Sequence, residues 1–412
     1  MRISNVEAFA IRIPREGDPN MHGRDTGARG RDPGARGGNS ADPGARDGKS
    51  ADPGASSTYF IPEARHAFKS DMHETLVVRV TTDEGLVGYG EGQSPILPDT
   101  TRTIVEDLCR PALIGADPFD VEFLWQRLFD GMRERGHPTG FYVDALSACD
   151  IALWDLKGKA LDMPVHKLLG GRFRDRIELY SGCAGRDPDS AADRAESLVA
   201  AGYRGLKLSP ASDHKGTVAI AAAVRDRVGP DIAVMVDVHT EFDVAGAIRL
   251  GRELEALDVY WLEAPILPED LAGHAAVTRA LDMHVANGEW YRTRFEMREA
   301  FERRTCDVVM PDIGRTGLTE GKRIAVLAET YNIPVSPHIG GGGLLSIAAT
   351  IQLSAAIPNF LVMEHGHESY PTRCRYALEA PQPVDGAFPV TDDPGLGVRI
   401  DDAALERFSR TA

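Results

Sequence analysis

The runs AVMVD (233–237), VYWLE (259–263) and HVANGE (284–289) each begin apolar and end on a carboxylate, and Asp237, Glu263 and Glu289 stand 26 residues apart. The pattern extends in both directions. Upstream lie IELYS (177–181) and GLKL (205–208); downstream lie DVVMPD (307–312), IPVSPH (333–338) and FLVME (360–364). Lys207, Asp312, His338 and Glu364 hold the equivalent positions, the last three again 26 residues apart. Eight such short apolar runs read as strands. The stretches 190–201, 216–227, 243–257, 268–281, 293–304, 319–331 and 343–356 between them read as helices. Right-handed crossovers make the strands parallel, and eight such units close a (β/α)8 barrel. The polar residue falls at the C-terminal end of its strand, where barrels of this kind carry their chemistry. An open parallel sheet would not explain why seven successive strands finish on a titratable residue.

Outward from the barrel, the N-terminal part reads differently. Ile3 to Ile13 and TLVVRVTT (75–82) look like strands, and a turn at Glu84-Gly85 makes 75–90 a hairpin. Helical stretches follow at 99–113 and 119–134. FYVDALSACDIALWDLKGKAL (141–161) reads as a long amphipathic helix with Ala145, Ala148 and Ala152 at helical spacing. The expected organisation is an α+β capping domain over 1–140, the barrel over 141–370, and a C-terminal segment, 371–412, returning to the cap. Within the cap, DTGAR (25–29), DPGAR (32–36 and 42–46) and DPGAS (52–56) form a low-complexity stretch almost without large apolar side chains. Residues 25–56 cannot bury enough surface to offset their ordering entropy, and they read as a mobile loop insertion.

Composition sets outer limits. With 42% hydrophobic and 26% charged residues the chain can bury a normal core. A net charge of −16 argues against nucleic acid or an anionic membrane as partner. It does not forbid an anionic substrate, because a bound metal reverses the local sign. The five cysteines show neither zinc spacing nor a disulfide framework. Met1 to Val6 reads as a strand and not as a signal peptide, and no apolar run reaches the ~18 residues of a membrane helix. A cytoplasmic protein is the expectation.

Neighbouring strand ends in a barrel lie about 5 Å apart, so Asp237, Glu263 and Glu289 are expected to converge. Left alone, three carboxylates repel and raise one another's pKa. A hard divalent cation resolves the conflict, and an oxygen-only set suits Mg²⁺ or Mn²⁺, not zinc. Two strands on, Asp312 beside His338 fixes the imidazole tautomer and makes a general base or acid. Lys207 is expected across the barrel mouth from this dyad, where it can stabilise an enolate or move a proton. His239 follows Asp237 by two residues, and strand alternation is expected to place both on one face.

These motifs together resemble the enolase superfamily, in its mandelate racemase subgroup. The resemblance covers nearly the whole chain, including the cap, ALWDLKGKALDMPVHKLLGG (152–171), the Asp/Glu/Glu ladder and the Asp312/His338 dyad. It implies Mg²⁺ held by Asp237, Glu263 and Glu289, a substrate carboxylate on that ion, α-proton removal by a base, and an enediolate that Glu364 hydrogen-bonds from the other side. Racemases of the subgroup carry Lys-x-Lys on the second strand. Here the match reads Lys207-Leu208-Ser209, which throws two-base racemisation into doubt, puts the load on His338 and leaves Ser209 as a candidate substrate contact. Asp237-Val-His239 and GEWYRTRFEMREAF (288–301) are more similar to galactonate dehydratase-type members. The resemblance then implies an acid sugar dehydratase in which His338 removes the α-proton and His239 assists loss of hydroxide, giving a 2-keto-3-deoxy acid. Cycloisomerisation or epimerisation of a sugar acid or lactone is the alternative, and a barrel that binds a small acid without turnover is a third. The family's substrate-covering loops correspond to about 14–70 and 88–98, with Arg65, His66 and Gln93 as candidate contacts. A homo-oligomer is a family expectation.

Overall fold

The computed structural model describes residues 1–15, 59–61, 67–185, 187–210 and 213–409. The insertion at 25–56 and the candidate contacts Arg65 and His66 lie outside the described residues. Strand Ile3–Pro14 pairs antiparallel with Met72–Thr82, from Ile3 opposite Thr82 to Pro14 opposite Met72. Met72–Thr82 pairs in turn with Val87–Gly92. The alternating glycines of VGYGEG then decide how the sheet is covered. Helix Phe141–Ala160 lies on it so closely that a Cβ at Gly88, Gly90 or Gly92 would collide with the main-chain carbonyl of Ala152, Ala148 or Asp144 respectively. Side chains two apart on a strand share a face, so three glycines at this spacing open a groove the width of a helix. The small residues Ala148 and Ala152 lie in it.

The barrel closes. Strands Arg176–Cys183, Gly205–Leu208, Ala233–Asp237, Val259–Glu263, His284–Asn287 and Val308–Val309 are parallel neighbours in chain order. Strand Met363–His365 pairs back onto Leu179–Ser181. The seventh position departs from the expected strand at 333–338. Only single pairings remain, Val335 with Val309 and Phe360, and His338 with Asp312. Pro334 and Pro337 lack the N–H that a ladder needs. Pro311 likewise shortens the sixth strand, so Asp312 sits past its end. Helices Pro188–Ala200, His214–Val228, Val244–Glu255, Leu271–Ala280, Arg294–Arg303, Ile313–Thr330 and Leu344–Ala356 lie between the strands, close to the predicted positions. Among the described residues no helix is long and apolar enough to cross a membrane.

Helix Phe141–Ala160 also fastens the barrel. Its buried Asp144 accepts two hydrogen bonds from Arg292, at 2.7 and 3.1 Å. Asp155 accepts from the main-chain N–H groups of Tyr89 (2.8 Å) and Leu396 (2.9 Å). Asp150 accepts from Thr319 through N–H (2.9 Å) and hydroxyl (2.5 Å), where Ile313–Thr330 kinks at Gly317 with φ 73°. The second part of that helix is thus capped from a different element. At the other end of the chain, helix Asp402–Ser409 packs on the first strand, and Asp402 accepts from Arg79 and from the Tyr89 hydroxyl, both at 2.8 Å. Asp150→Ala leaves the Thr319 donors buried without a partner, and stability falls by about 2 kcal/mol. Denaturant unfolding checks this; an unchanged midpoint contradicts the capping role.

Candidate active site at the barrel mouth

Asp237 and Glu263 are the last residues of adjacent strands, directly paired, and each is 1% exposed. Glu289 lies two residues beyond its strand, after Gly288 at φ 118°. Lys207, on the neighbouring strand Gly205–Leu208, reaches into this group. Its Nζ is 2.9 Å from Glu263 Oε1, 2.8 Å from Glu364 Oε1 and 3.5 Å from Asp237 Oδ2. His338 has Nδ1 2.7 Å from Asp312 Oδ2 and Nε2 2.7 Å from Glu289 Oε2, with Glu364 Oε2 at 3.7 Å. The predicted dyad is therefore assembled. Lys207, on the second barrel strand, stands across the mouth from it, and Glu364 joins the two, with Lys207 on one oxygen and His338 on the other. Glu364 Oε2 also accepts the N–H groups of Ile339 (2.8 Å) and Gly340 (3.2 Å).

The structure brings His239 to the site by a route other than strand alternation. The strand ends at Asp237, and His239 and Thr240 form a turn with φ 47° and 65°. From there the His239 Nδ1 still lies 3.0 Å from Asp237 Oδ1, with the side chain 38% exposed. The turn is left-handed, a conformation non-glycine residues adopt sparingly, and it aims the ring at the carboxylate. Ser209 lies half-buried just past the second strand. Gln93 is buried and engaged elsewhere. Its Nε2 donates to Ile339 O at 3.2 Å, its Oε1 accepts from Arg315, and its main-chain N–H donates to Gly314 O at 2.8 Å. It braces the cap against the loop beside His338.

Five carboxylates (Asp237, Glu263, Glu289, Asp312 and Glu364) face two cationic side chains, Lys207 and His338. Burial pushes the Glu263 carboxyl up to about 8, against the pull of Lys207 and helped by Asp237 and Glu364. Burial also opposes ionisation of Glu289 and Glu364. His338 beside Glu289, and Lys207 with His338 beside Glu364, overcome it and hold both well below the usual carboxylate range. Burial pulls Lys207 and His338 down as well, yet the surrounding carboxylates raise both. Among the described residues, no three His, Cys, Asp or Glu side chains already stand close enough to grip a metal ion. Lys207 pairs with Asp237 and Glu263, and His338 with Glu289. The donor set nonetheless fits a hard cation: it is all oxygen, it carries surplus negative charge, and Glu263 in particular gains by ionising beside one.

Sequence reasoning missed Glu91, Arg315 and Trp261. Glu91 ends the cap hairpin, is fully buried, and accepts from the Thr75 hydroxyl (2.6 Å), from the N–H groups of Gly343 and Ser346 (3.0 Å for the latter) and from the Tyr376 hydroxyl (3.2 Å). It caps helix Leu344–Ala356 from the other domain. Arg315 donates to the main-chain carbonyl of Glu289 at 2.7 Å. Trp261 donates to Glu263 Oε2 at 3.1 Å, and its spacing of two from Glu263 was the available clue.

A family model described as mandelate racemase / muconate lactonizing enzyme, N-terminal domain, matches residues 61–170, and one described as enolase C-terminal domain-like matches 190–404. The chain is 33% identical over 356 residues to a D-galactarolactone cycloisomerase of Agrobacterium fabrum, covering 83% of this chain and 93% of the relative. It is 33% identical over 356 residues to a D-xylonate dehydratase of Haloferax volcanii, covering 80% and 84%. A crystal structure of a putative isomerase from Sinorhizobium meliloti superposes with a TM-score of 0.86 at 32% identity, covering 99% of both chains. With both family models in chain order over a closed barrel and its cap, the chain belongs to the mandelate racemase/muconate lactonizing enzyme family of the enolase superfamily.

Proposed function

We propose that this protein is a Mg²⁺-dependent acid sugar dehydratase that removes the α-proton of a sugar acid and expels the β-hydroxyl. The observation that carries the reading is the pair of histidines bound to different carboxylates of one cluster, His338 on Asp312 and His239 on Asp237. One is buried and held by a carboxylate at Nδ1, as a base requires; the other is half-exposed, as an acid that recharges from solvent requires. Relatives carrying the names D-xylonate, D-gluconate and D-galactonate dehydratase support the substrate class.

Asp237, Glu263 and Glu289 would hold the cation, which when bound supplies Lewis-acid stabilisation of negative charge on the substrate carboxylate. With Glu289 on the cation, the Nε2 proton that His338 shares with it would pass to solvent, leaving a neutral imidazole whose Nε2 lone pair faces the cavity while Asp312 keeps Nδ1–H. Nε2 takes the α-proton, and the C–H electron pair passes into the carboxyl group as an enediolate. Lys207 and Glu364 line the side where that charge develops. The pair then returns to form the Cα–Cβ double bond, the β-C–O bond breaks, and His239 protonates the leaving oxygen to water. The enol tautomerises to a 2-keto-3-deoxy acid. Cycloisomerisation of a lactone shares the first step, and the D-galactarolactone cycloisomerase relative keeps it as the second reading.

Two outcomes follow. Glu263→Gln binds Mg²⁺ at least about tenfold more weakly in isothermal titration; undiminished affinity sinks the ligand assignment. In D2O with Mg²⁺ and a panel of acid sugars and lactones, proton NMR shows loss of substrate and a deuterated 2-keto-3-deoxy product. His338→Asn lowers α-proton exchange by about 10²–10⁴-fold, whereas His239→Asn keeps exchange and loses dehydration by a similar factor. Full dehydration by His239→Asn refutes its role, and a ring-opened or epimeric product selects the second reading.

A further inference from the structure

Trp261 stands two residues before Glu263 on the same strand, so both side chains turn to the barrel interior. The indole is fully buried. It packs edge-on against Tyr180, ring centroids 5.3 Å apart at 86°, and is flanked by Tyr260 at 5.5 Å. Met235 belongs to the same interior cluster, directly beneath the carboxylates. Wedged this way, the ring has little rotational freedom.

Its N–H donates to Glu263 Oε2 at 3.1 Å, while Lys207 donates to Oε1 at 2.9 Å. Each oxygen of this carboxylate therefore has one donor, and the two donors differ in kind. Lys207 is a flexible cation shared with Glu364 and Asp237, and it competes with a metal for the same charge. The indole is neutral and rigid. A carboxylate oxygen has two lone pairs, so it can accept the indole N–H and still face a cation with the other. A donor of this sort sets the plane of a ligand without opposing the metal.

We propose that Trp261 is a positioning residue for the cation site, its indole N–H fixing the orientation of the Glu263 carboxylate. The inference rests on the reading of Asp237, Glu263 and Glu289 as metal ligands. It also gives the barrel interior a task beyond packing, because the aromatic floor holds the indole that holds the ligand.

The test is Mn²⁺ binding to the full chain without substrate, followed by the electron paramagnetic resonance signal of the free ion. Trp261→Phe removes the donor and keeps an aromatic ring; Met235→Leu perturbs the same floor at nearly constant volume. Trp261→Phe weakens Mn²⁺ binding about 10–100-fold, and Met235→Leu stays within about twofold of wild type. In a ¹⁵N-tryptophan spectrum, the indole peak missing from Trp261→Phe shifts as Mg²⁺ saturates the wild-type protein. Equal affinity in Trp261→Phe and wild type, or an indole peak that stays in place through saturation, overturns the proposal. So does an equal loss in Met235→Leu, which assigns the effect to packing. Failure of the wild-type protein to bind Mn²⁺ at all is a different result: it overturns the ligand reading first, and the role of Trp261 falls with it.

Discussion

A surplus of buried negative charge at the barrel mouth is the constraint on which the site depends. Ion pairs in such a place exist because separation of the charges costs more than their desolvation. Lys207 and His338 divide five carboxylates between them, and the division is incomplete, since Glu263 is driven toward its neutral form. The arrangement is thus both a stable protein interior and a site short of positive charge. The side chains that serve as counter-ions are the same ones that the proposed chemistry uses.

The cap matters to this balance because it sets the loops around it. Glu91 and Gln93 sit two residues apart at the end of the hairpin, and each reaches the barrel: Glu91 at Gly343 and Ser346, Gln93 at Ile339 and Arg315. Between these contacts runs the glycine segment that follows His338. Arg373 closes it from the other side by donating to the carbonyls of Gly340 (2.8 Å) and Gly342. The loop that follows His338 is therefore held by a carboxylate, an amide and a guanidinium, two of them from the cap.

Much of this was legible in the sequence, for reasons that can be named. The 26-residue step from Asp237 to Glu289, and again from Asp312 to Glu364, is a repeat of one strand–helix unit, and periodicity survives without coordinates. The dyad was legible because its members occupy equivalent positions on neighbouring units. His239 was found for an insufficient reason: alternation stops at the strand end, and only the left-handed turn delivers the ring. The loss of regular pairing around Pro334 and Pro337 was visible in the residues themselves and outweighed by the apolar pattern. Glu91, Asp150 and Arg315 were not legible, because their partners are main-chain groups or side chains far along the chain, and no local pattern announces such a pairing. Gln93 looked like a contact for substrate from its place in a family loop; the hydrogen bonds it makes to Ile339 and Arg315 lie far along the chain and no local pattern announces them.

The glycines at 88, 90 and 92 bear on how this protein could be re-engineered. They let helix Phe141–Ala160 lie against the hairpin at main-chain distance, while the same helix grips the barrel through Asp144 and Asp150. The helix is a shared part, packed on the hairpin at a main-chain distance that admits no extra methyl group and hydrogen-bonded to the barrel through its carboxylates. A chimera that exchanges the substrate-covering cap for a relative's must therefore import hairpin and helix as one cassette and keep Arg292 and Thr319 as its docking points. A crossover placed between residues 92 and 141 would separate this helix from the groove it fills.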